Sequence, residues 1–250
     1  MAPMSGVARI LRGAALAWLL ALTGCAGLPG LGGAGSSGAG GTSGTSGAGV
    51  SGILSQFGLV PQLSAFTATR AEIAAAGITV PLLKVVARQP RLESAGYLLA
   101  GAPDGIEIYR DLGGGELYLD QGVLRASVGQ RIDLLGAETA HVLAALAAAR
   151  SGETPRYSRL LRHRAIEGPV IRTRVFCEMR RAGAESVTIL GLTTPATRFD
   201  ESCRASEADA LGRVIAFENR YWRDASGAMV ASEQWLNGER GALRIEQVQR

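Results

Sequence analysis

The distribution of hydrophobic and polar residues divides the chain into three parts. An apolar run at 13–22 precedes a stretch at 27–52 that contains no charged residue, and beyond residue 53 short apolar runs alternate with turn residues. Short β-rich runs bounded by glycine, aspartate and proline are typical of antiparallel strands. The last part is therefore predicted to be mainly β, with antiparallel meander sheets that form a sandwich or a half-open barrel and with two or more short helices.

Local signals predict the individual elements. Thr69 and Glu72 have the spacing of a capping box, which predicts a short helix that Gly77 ends. A second helix is predicted over 137–150. It contains His141, but no second metal ligand stands at helical spacing from it, so His141 is interpreted as a structural histidine. The predicted strands are 78–87, 97–100, 106–110, 116–120, 123–127, 171–180, 186–191, 197–203, 214–223 and 228–236.

The last two of these strands are predicted to form a hairpin. Residues 224–227 suit a type I turn followed by a glycine in the left-handed conformation. If Asp224 pairs with Ala228, then Asn219 stands opposite Glu233 on the buried face. A buried carboxylate can be a catalytic acid, but we interpret Asn219 and Glu233 as a hydrogen-bonded pair that fixes the register.

The same register places Trp222 on the outer face of the hairpin, near Arg220. An exposed tryptophan can stack on a sugar ring, so Trp222 and Arg220 are predicted as candidate contacts with a partner or a glycan. The alternative interpretation is that Trp222 covers a second layer of structure.

The N-terminal part has the pattern of a secretory signal. Two arginines precede the apolar run, which is too short to span a bilayer. The run ends in Leu22-Thr23-Gly24-Cys25, which resembles the lipobox of bacterial lipoproteins and implies cleavage before Cys25 and acylation of its sulfur. Ala26 stands where aspartate retains lipoproteins in the inner membrane of enteric bacteria, so the resemblance implies sorting to the outer membrane.

This pattern defines the domain organisation. Residues 1–24 are predicted to be a signal peptide, and 25–52 to be the lipidated cysteine with a flexible glycine-rich tether. Residues 53–250 are predicted to form a single β-rich periplasmic domain.

Composition excludes several classes of protein. The chain has 26 basic and 22 acidic residues, which gives little electrostatic reason for nucleic-acid binding. Two histidines and three cysteines leave little material for a zinc site, so no metal is predicted. No cofactor is predicted either: residues 30–35 match G-x-G-x-x-G, but no strand precedes them and no helix follows.

Two cysteines remain for a disulfide once Cys25 is lipidated. Cys177 lies at a core-facing position of an alternating segment, and Cys203 follows after what is predicted as a strand-turn-strand-turn-strand spacing. Because the compartment is oxidising, we predict a disulfide between Cys177 and Cys203. Two separately buried free cysteines and a catalytic thiol are the alternatives.

Several motifs resemble those of one family. They are Tyr221-Trp222-Arg223-Asp224, Ser232-Glu233-Gln234-Trp235-Leu236, Phe217-Glu218-Asn219-Arg220-Tyr221 and, upstream, Gly122-Val123-Leu124-Arg125-Ala126-Ser127. From about residue 53 onward the chain thereby resembles the YjbF/GfcB family of group 4 capsule lipoproteins. The resemblance implies a part in making or exporting an exopolysaccharide or capsule, and it carries over no catalytic residue.

Two functional classes follow. The favoured one is a non-enzymatic outer-membrane lipoprotein that supports polysaccharide production or export by contacting an outer-membrane export protein or the polysaccharide. The other is a glycan-modifying hydrolase, for which Glu201, Glu218 and Glu233 are the carboxylates to test. A periplasmic lipid carrier is a third reading, and it requires a large apolar cavity.

Overall fold

The computed structural model describes residues 66–87, 93–165, 167–208 and 214–250. In these ranges twelve strands form one antiparallel sheet, and two α-helices accompany it, which confirms the mainly β prediction. The segments predicted at 1–24 and 25–52 lie outside the described residues. No helix within the described ranges is long and apolar enough to cross a membrane.

The elements follow one another along the chain with a short 3-10 turn at Pro103–Gly105. The helices are α1 (Arg70–Ala75) and α2 (Ala140–Arg150). The strands are β1 (Leu82–Ala87), β2 (Glu93–Gly101), β3 (Ile106–Arg110), β4 (Glu116–Asp120), β5 (Val123–Val128), β6 (Ile132–Ala137), β7 (Arg156–Ala165), β8 (Val170–Ile189), β9 (Leu192–Ala208), β10 (Val214–Arg223), β11 (Met229–Asn237) and β12 (Gly241–Gln249).

The sheet is rolled into a nearly closed, barrel-like form. Its strand order is β5-β4-β3-β2-β1-β12-β11-β10-β9-β8-β7-β6, so the pairing of β1 with β12 joins the first and last strands of the chain. The two edges are β5 and β6, which are consecutive in sequence and lie side by side without a backbone ladder between them. The seam of the sheet therefore lies between these two strands.

Alternation along the strands gives the sheet a filled inner face. Inward positions on β8, β10 and β12 contribute Val175, Cys177, Phe217, Leu243 and Ile245 to one buried cluster. Side chains from β1 to β7 complete this cluster. Each side chain that leaves water contributes roughly 25 cal/mol per Å² of apolar area, so this inner face is the main source of stability.

Each helix covers a different part of the sheet. Thr69 and Glu72 form both bonds of the predicted capping box at the start of α1, and Ile73 buries its apolar side in a second cluster on the outer face, with Trp222. Val142 and Leu146 of α2 pack in a third cluster with Met179, Phe199 and Tyr221. The second predicted helix is shorter than 137–150, because residues 132–137 form β6.

The observed hairpin of β8 and β9 differs from the predicted strands. The prediction of separate strands at 171–180 and 186–191 is wrong, because residues 170–189 form the single long strand β8, whereas the strand predicted at 197–203 lies within β9. A tight turn at Leu190 and Gly191, both with positive φ, joins β8 to β9. One hairpin thus separates Cys177 from Cys203, and the two residues are direct cross-strand partners. Strands β6, β7 and β12 were not predicted.

Candidate functional site

A groove of about 900 Å³ follows the seam of the sheet. We call it the seam groove, and it lies between β5 on one side and β6, β7 and the start of α2 on the other. Its lining is mixed, with guanidinium, carboxylate, hydroxyl and imidazole groups beside short apolar side chains. The residues that line it are Tyr118, Asp120, Arg125, Ala126, Ser127, Val128, Leu135, Gly136, Ala137, Glu138, Thr139, Ala140, His141, Leu160 and Arg162.

Buried polar side chains satisfy the backbone groups of the two edge strands. Leu124 N donates to Gln234 Oε1 at 2.8 Å, and Leu134 N donates to Ser127 Oγ at 3.0 Å. Asn237 Nδ2 donates to the carbonyl of Ile132 at 2.8 Å. Unpaired edge groups favour strand addition or aggregation. The side chains of Ser127, Gln234 and Asn237 therefore let the seam stay open without leaving these backbone groups unpaired.

The acidic groups of the seam groove are held by the protein itself. Thr139 Oγ1 donates to Asp120 Oδ2 at 2.5 Å, and the backbone N–H of Leu160 donates to Glu138 Oε2 at 2.9 Å. His141 Nδ1 lies 2.9 Å from the carbonyl of Ser158, and because a carbonyl oxygen can only accept, Nδ1 donates this hydrogen bond. These bonds fix the acceptors on the wall of the groove.

Two arginines flank the seam groove from opposite sides. Arg125 projects from β5 and Arg162 from β7, and both side chains are exposed. The guanidinium of Arg162 lies over Gly136, where a Cβ would stand 2.6 Å from Arg162 Nη2, so this glycine makes room for the side chain. Within the described ranges, neither arginine has a carboxylate within ion-pair distance. The groove thus presents two cations that no carboxylate in the described part of the chain neutralises.

A second polar cluster lies inside the sheet around Glu201. This carboxylate is fully buried and accepts hydrogen bonds from Tyr157 at 2.5 Å, Asn219 at 2.5 Å and Tyr221 at 2.8 Å. The guanidinium of Arg159 lies 3.7 Å away and is also buried. Sequence reasoning named Glu201 as a carboxylate to test but did not find its partners.

The charged and hydroxyl groups of this cluster stabilise one another, as in a structural hydrogen-bond network. Burial, and then the charge of Glu201, raise the pKa of both Tyr157 and Tyr221, so these hydroxyls stay protonated and donate. Burial is the largest single effect on Arg159 and lowers its pKa, but Glu201 together with Tyr221 and Tyr157 outweighs it, so the pKa of the guanidinium is raised. Glu201 and Arg159 are a buried ion pair whose carboxylate is already bound by three donors.

The other two carboxylates considered for hydrolysis lie on the outer face. Glu233 lies between two guanidinium groups, 3.1 Å from Arg220 and 3.2 Å from Arg244. The Glu218 side chain is 72% exposed and lies 3.7 Å from Arg220. Because Glu201 points inward, it does not share a cleft with Glu218 or Glu233. These three residues do not form the facing pair that glycoside hydrolysis requires.

The predicted pairing of Asn219 with Glu233 is wrong. Asp224 N does donate to the carbonyl of Ala228 at 3.0 Å, as the turn predicted. A bulge at Val230 then shifts the register by one residue, so Glu233 stands opposite Arg220. Asn219 instead accepts from the backbone of Trp235 and donates to Glu201.

The predicted exposure of Trp222 is also wrong. Its side chain is 5% exposed and packs in the outer cluster beneath α1, which is the alternative of a covered second layer. Its Nε1 donates to Glu185 Oε2 at 3.0 Å, and the guanidinium of Arg244 lies 5.0 Å from its ring centre. Arg220 is partly exposed but is paired with Glu233 and Glu218. Trp222 is therefore too buried for contact with a glycan or partner in this conformation.

The predicted disulfide between Cys177 and Cys203 is confirmed. The bond joins neighbouring strands on the inner face, beside the Glu201 carboxylate. Both sulfurs are in the disulfide, so they offer no thiolate to a metal ion. The 26-residue sequence separation corresponds to roughly 3.5 kcal/mol in the chain-entropy model of disulfide stabilisation.

Residues 62–248 match the model of the group 4 capsule polysaccharide lipoprotein family, GfcB/YjbF. The chain belongs to this family. A comparison with curated proteins finds no significant match. The predicted family resemblance is thus confirmed by a match that covers most of the chain and includes both edges of the seam groove.

Among the similar solved structures, one shares this fold with a TM-score above 0.5, and two others have lower scores. The lipoprotein YmcC from Escherichia coli K12 is 15% identical, with a TM-score of 0.59 over 70% of this chain and 86% of that one. An exported protein with a YmcC-like fold from Bacteroides fragilis is 10% identical, with a TM-score of 0.32 over 67% and 92% of the two chains. A Parabacteroides distasonis lipoprotein is also 10% identical, with a TM-score of 0.29 over 67% and 93%.

The residues of the seam groove were missed by sequence reasoning. The sequence does contain one signal for part of this surface. Arginines stand at alternate positions before residue 165 and after residue 170, namely Arg162, Arg164, Arg172 and Arg174. This spacing places side chains on one face of two antiparallel strands. It was not recognised because β7 was not predicted as a strand.

Proposed function

We propose that this GfcB/YjbF family member is a non-enzymatic lipoprotein of the outer membrane that supports capsule or exopolysaccharide production or export. It is anchored through acylated Cys25 and acts from the periplasmic side, by binding an outer-membrane export protein or the polysaccharide. The observation that carries the proposal is the family match over residues 62–248. The lipobox at Leu22-Thr23-Gly24-Cys25 supports the anchoring.

The geometry supports a binding role rather than catalysis. Glu201 is buried and bound by three donors, and Glu233 is bound by two arginines. The seam groove is an open surface feature, its carboxylates are held by neighbouring groups, and its arginines have no carboxylate at ion-pair distance among the described residues. Fixed hydrogen-bonding groups around a groove suit recognition of a ligand.

The test is a chromosomal deletion scored for extracellular polysaccharide. Complementation with the wild-type gene should restore the polysaccharide, and complementation with Cys25→Ala should not, because several acyl chains are needed for stable anchoring. The Cys25→Ala protein should lose acyl labelling and leave the outer-membrane fraction. Unchanged labelling and fractionation would contradict the lipoprotein assignment.

Ala26→Asp provides a matched control for sorting. It keeps Cys25 and so keeps acylation, but in an enteric host it should move the protein to the inner-membrane fraction. If the outer-membrane location is required, Ala26→Asp should fail to restore the polysaccharide although the protein is still acylated. Full restoration by Ala26→Asp from the inner membrane would overturn the outer-membrane part of the proposal.

A further inference from the structure

The outer surface of β7 and β8 carries a group of arginines that no acidic residue balances among the residues that the structure describes. Arg162 and Arg172 are direct cross-strand partners, and Arg164 and Arg174 occupy the next outward positions on either side. Arg125 faces Arg162 across the seam groove. We call these five exposed residues the arginine face. Within the described ranges, none of them has a carboxylate within ion-pair distance.

The opposite part of the outer surface is built differently. On β10, β11 and β12 the charges alternate, so that Arg220 bonds to Glu233, Glu233 to Arg244, and Arg244 to Glu246. Lys84 on β1 continues the row by pairing with Glu246 at 3.5 Å. Because like charges that face each other across strands are destabilising, the balanced row is the arrangement that favours folding. The arginine face lacks this compensation within residues 66–87, 93–165, 167–208 and 214–250.

The shape beside the arginine face suits an extended polar chain. The seam groove leads past Arg162 and Leu160 on β7. A second hollow of about 640 Å³ continues on the same strand at Ser158, beside Phe176, whose side chain is 55% exposed. Arg174 Nη1 donates to Ser158 Oγ at 3.4 Å between the two hollows. Cations, fixed hydroxyl and carboxylate acceptors, and an exposed aromatic ring therefore line two hollows that both border β7.

We propose that the seam groove and the arginine face bind a segment of an acidic polysaccharide. The guanidinium groups receive the carboxylates of the glycan as charge-assisted hydrogen bonds. Asp120 and Glu138 accept from its hydroxyls, and Phe176 packs against a sugar ring. This inference rests on the proposed function and names the ligand class of the groove.

The lining of the groove fits a glycan better than it fits an anionic membrane surface. Arg125 and Arg162 stand on the two walls of a concave site, together with the hydroxyl and carboxylate groups that sugar hydroxyls would meet. A layer of lipid headgroups would contact the protruding arginines but would use none of the acceptors inside the groove. The combined lining therefore favours a single glycan chain.

The binding test uses the purified full-length acylated protein in micelles of a neutral detergent. Titration calorimetry compares oligogalacturonate with its methyl ester, which has the same sugar rings without the charges. We expect binding of the acid and little binding of the ester, with affinity that falls as salt is added. Equal binding of the two, or binding of neither, would overturn the inference.

Arginine variants locate the binding surface. Arg125→Gln and Arg162→Gln should each weaken oligogalacturonate binding about tenfold, because a hydrogen bond to a charged group is lost. Arg220→Gln makes the same change of charge on the balanced row and should leave affinity unchanged. Equal losses in all three variants would show a non-specific charge effect and would contradict the site.

The melting temperature gives a second measurement, because replacing an arginine with a structural role would lower it. Arg172→Gln should weaken binding while its melting temperature stays equal or rises, because the repulsion with Arg162 is removed. A large fall in melting temperature would contradict the claim that this face is uncompensated. The last experiment measures binding to vesicles that contain phosphatidylglycerol. If the arginines are needed for vesicle binding and oligogalacturonate does not bind, the ligand is an anionic membrane and the glycan proposal is overturned.

Failure of this inference can be told from failure of the proposed function. If the deletion strain makes normal extracellular polysaccharide, the proposed function fails whatever the purified protein binds. If the deletion strain loses the polysaccharide but an Arg125→Gln/Arg162→Gln protein of normal abundance restores it fully, the function stands and the ligand assignment fails. Loss of restoration by this double variant, with restoration by Arg220→Gln, supports both.

Discussion

Replacing Glu201 by glutamine tests whether the buried polar cluster is a structural ion pair. The substitution keeps the volume of the side chain but removes the charge that faces buried Arg159 at 3.7 Å. It also places an amide donor where Tyr157, Asn219 and Tyr221 all donate. Breaking a buried pair by removing one partner costs about 3–5 kcal/mol, because the other charge stays buried without compensation.

This cost is large compared with the stability of a domain. At roughly 2–4 °C per kcal/mol for a domain of this size, Glu201→Gln should lower the melting temperature by about 6–20 °C. Urea unfolding followed by circular dichroism gives the free energy directly, since the midpoint falls while the slope stays constant. A second variant, Glu201→Gln/Arg159→Met, removes both charges but keeps an amide oxygen that accepts from the buried donors, and it should recover part of the loss.

The comparison with polysaccharide export separates structure from catalysis. If the pair is structural, Glu201→Gln should reduce export only in proportion to the loss of folded protein. The charge-free double variant should then export more than Glu201→Gln. A Glu201→Gln protein within about 1 kcal/mol of wild type in stability would refute the ion-pair reasoning. Normal abundance with no export and altered glycan length would favour a hydrolase.

Two further substitutions test the interior and the outer layer. His163 donates from Nε2 to the carbonyl of Leu236 at 2.7 Å, and burial lowers its pKa, so the unfolded chain binds a proton that the folded state resists. The stabilisation should therefore be fully present at pH 7 and decrease below about pH 6.5, and this group alone should lower the free energy of unfolding by at most about 1.4 kcal/mol at pH 5.5. His163→Gln should make the free energy of unfolding, measured by urea titration, less dependent on pH. Trp222→Ala should lower stability by about 3–5 kcal/mol because the ring is buried beneath α1, and a melting temperature within a few degrees of wild type would contradict that packing.

The C-terminal hairpin shows what a turn motif can and cannot determine. The residues 224–227 fix the turn, and the first pairs across it follow as predicted. The bulge at Val230 lies beyond the reach of the turn, and it places this side chain in the outer cluster with Trp222. Since a slip of one residue exchanges the two faces of a strand, the partner of Asn219 could not be read from local sequence.

Strand β7 was missed because its inward side chains are not all apolar. Arg159 and His163 occupy buried positions, where Arg159 forms an ion pair with Glu201 and His163 donates to the carbonyl of Leu236. A strand with arginine and histidine on its buried face has no hydrophobic alternation for a sequence pattern to detect. Its compensating partners lie on β9 and β11, so only the tertiary structure shows that the segment is a strand.

The candidate site depends on the same kind of long-range compensation. The seam stays open because Gln234 and Asn237 on β11 bond to the backbone of β5 and β6 from inside the sheet. In the sequence these two residues look like ordinary polar positions of a hairpin, and they lie more than a hundred positions from the backbone groups that they satisfy. A sheet that closed at β5 and β6 would satisfy those groups by itself and would leave no groove. The buried amides thus connect the fold to the proposed binding surface, since they stabilise an opening between Arg125 and Arg162 that a continuous backbone ladder would remove.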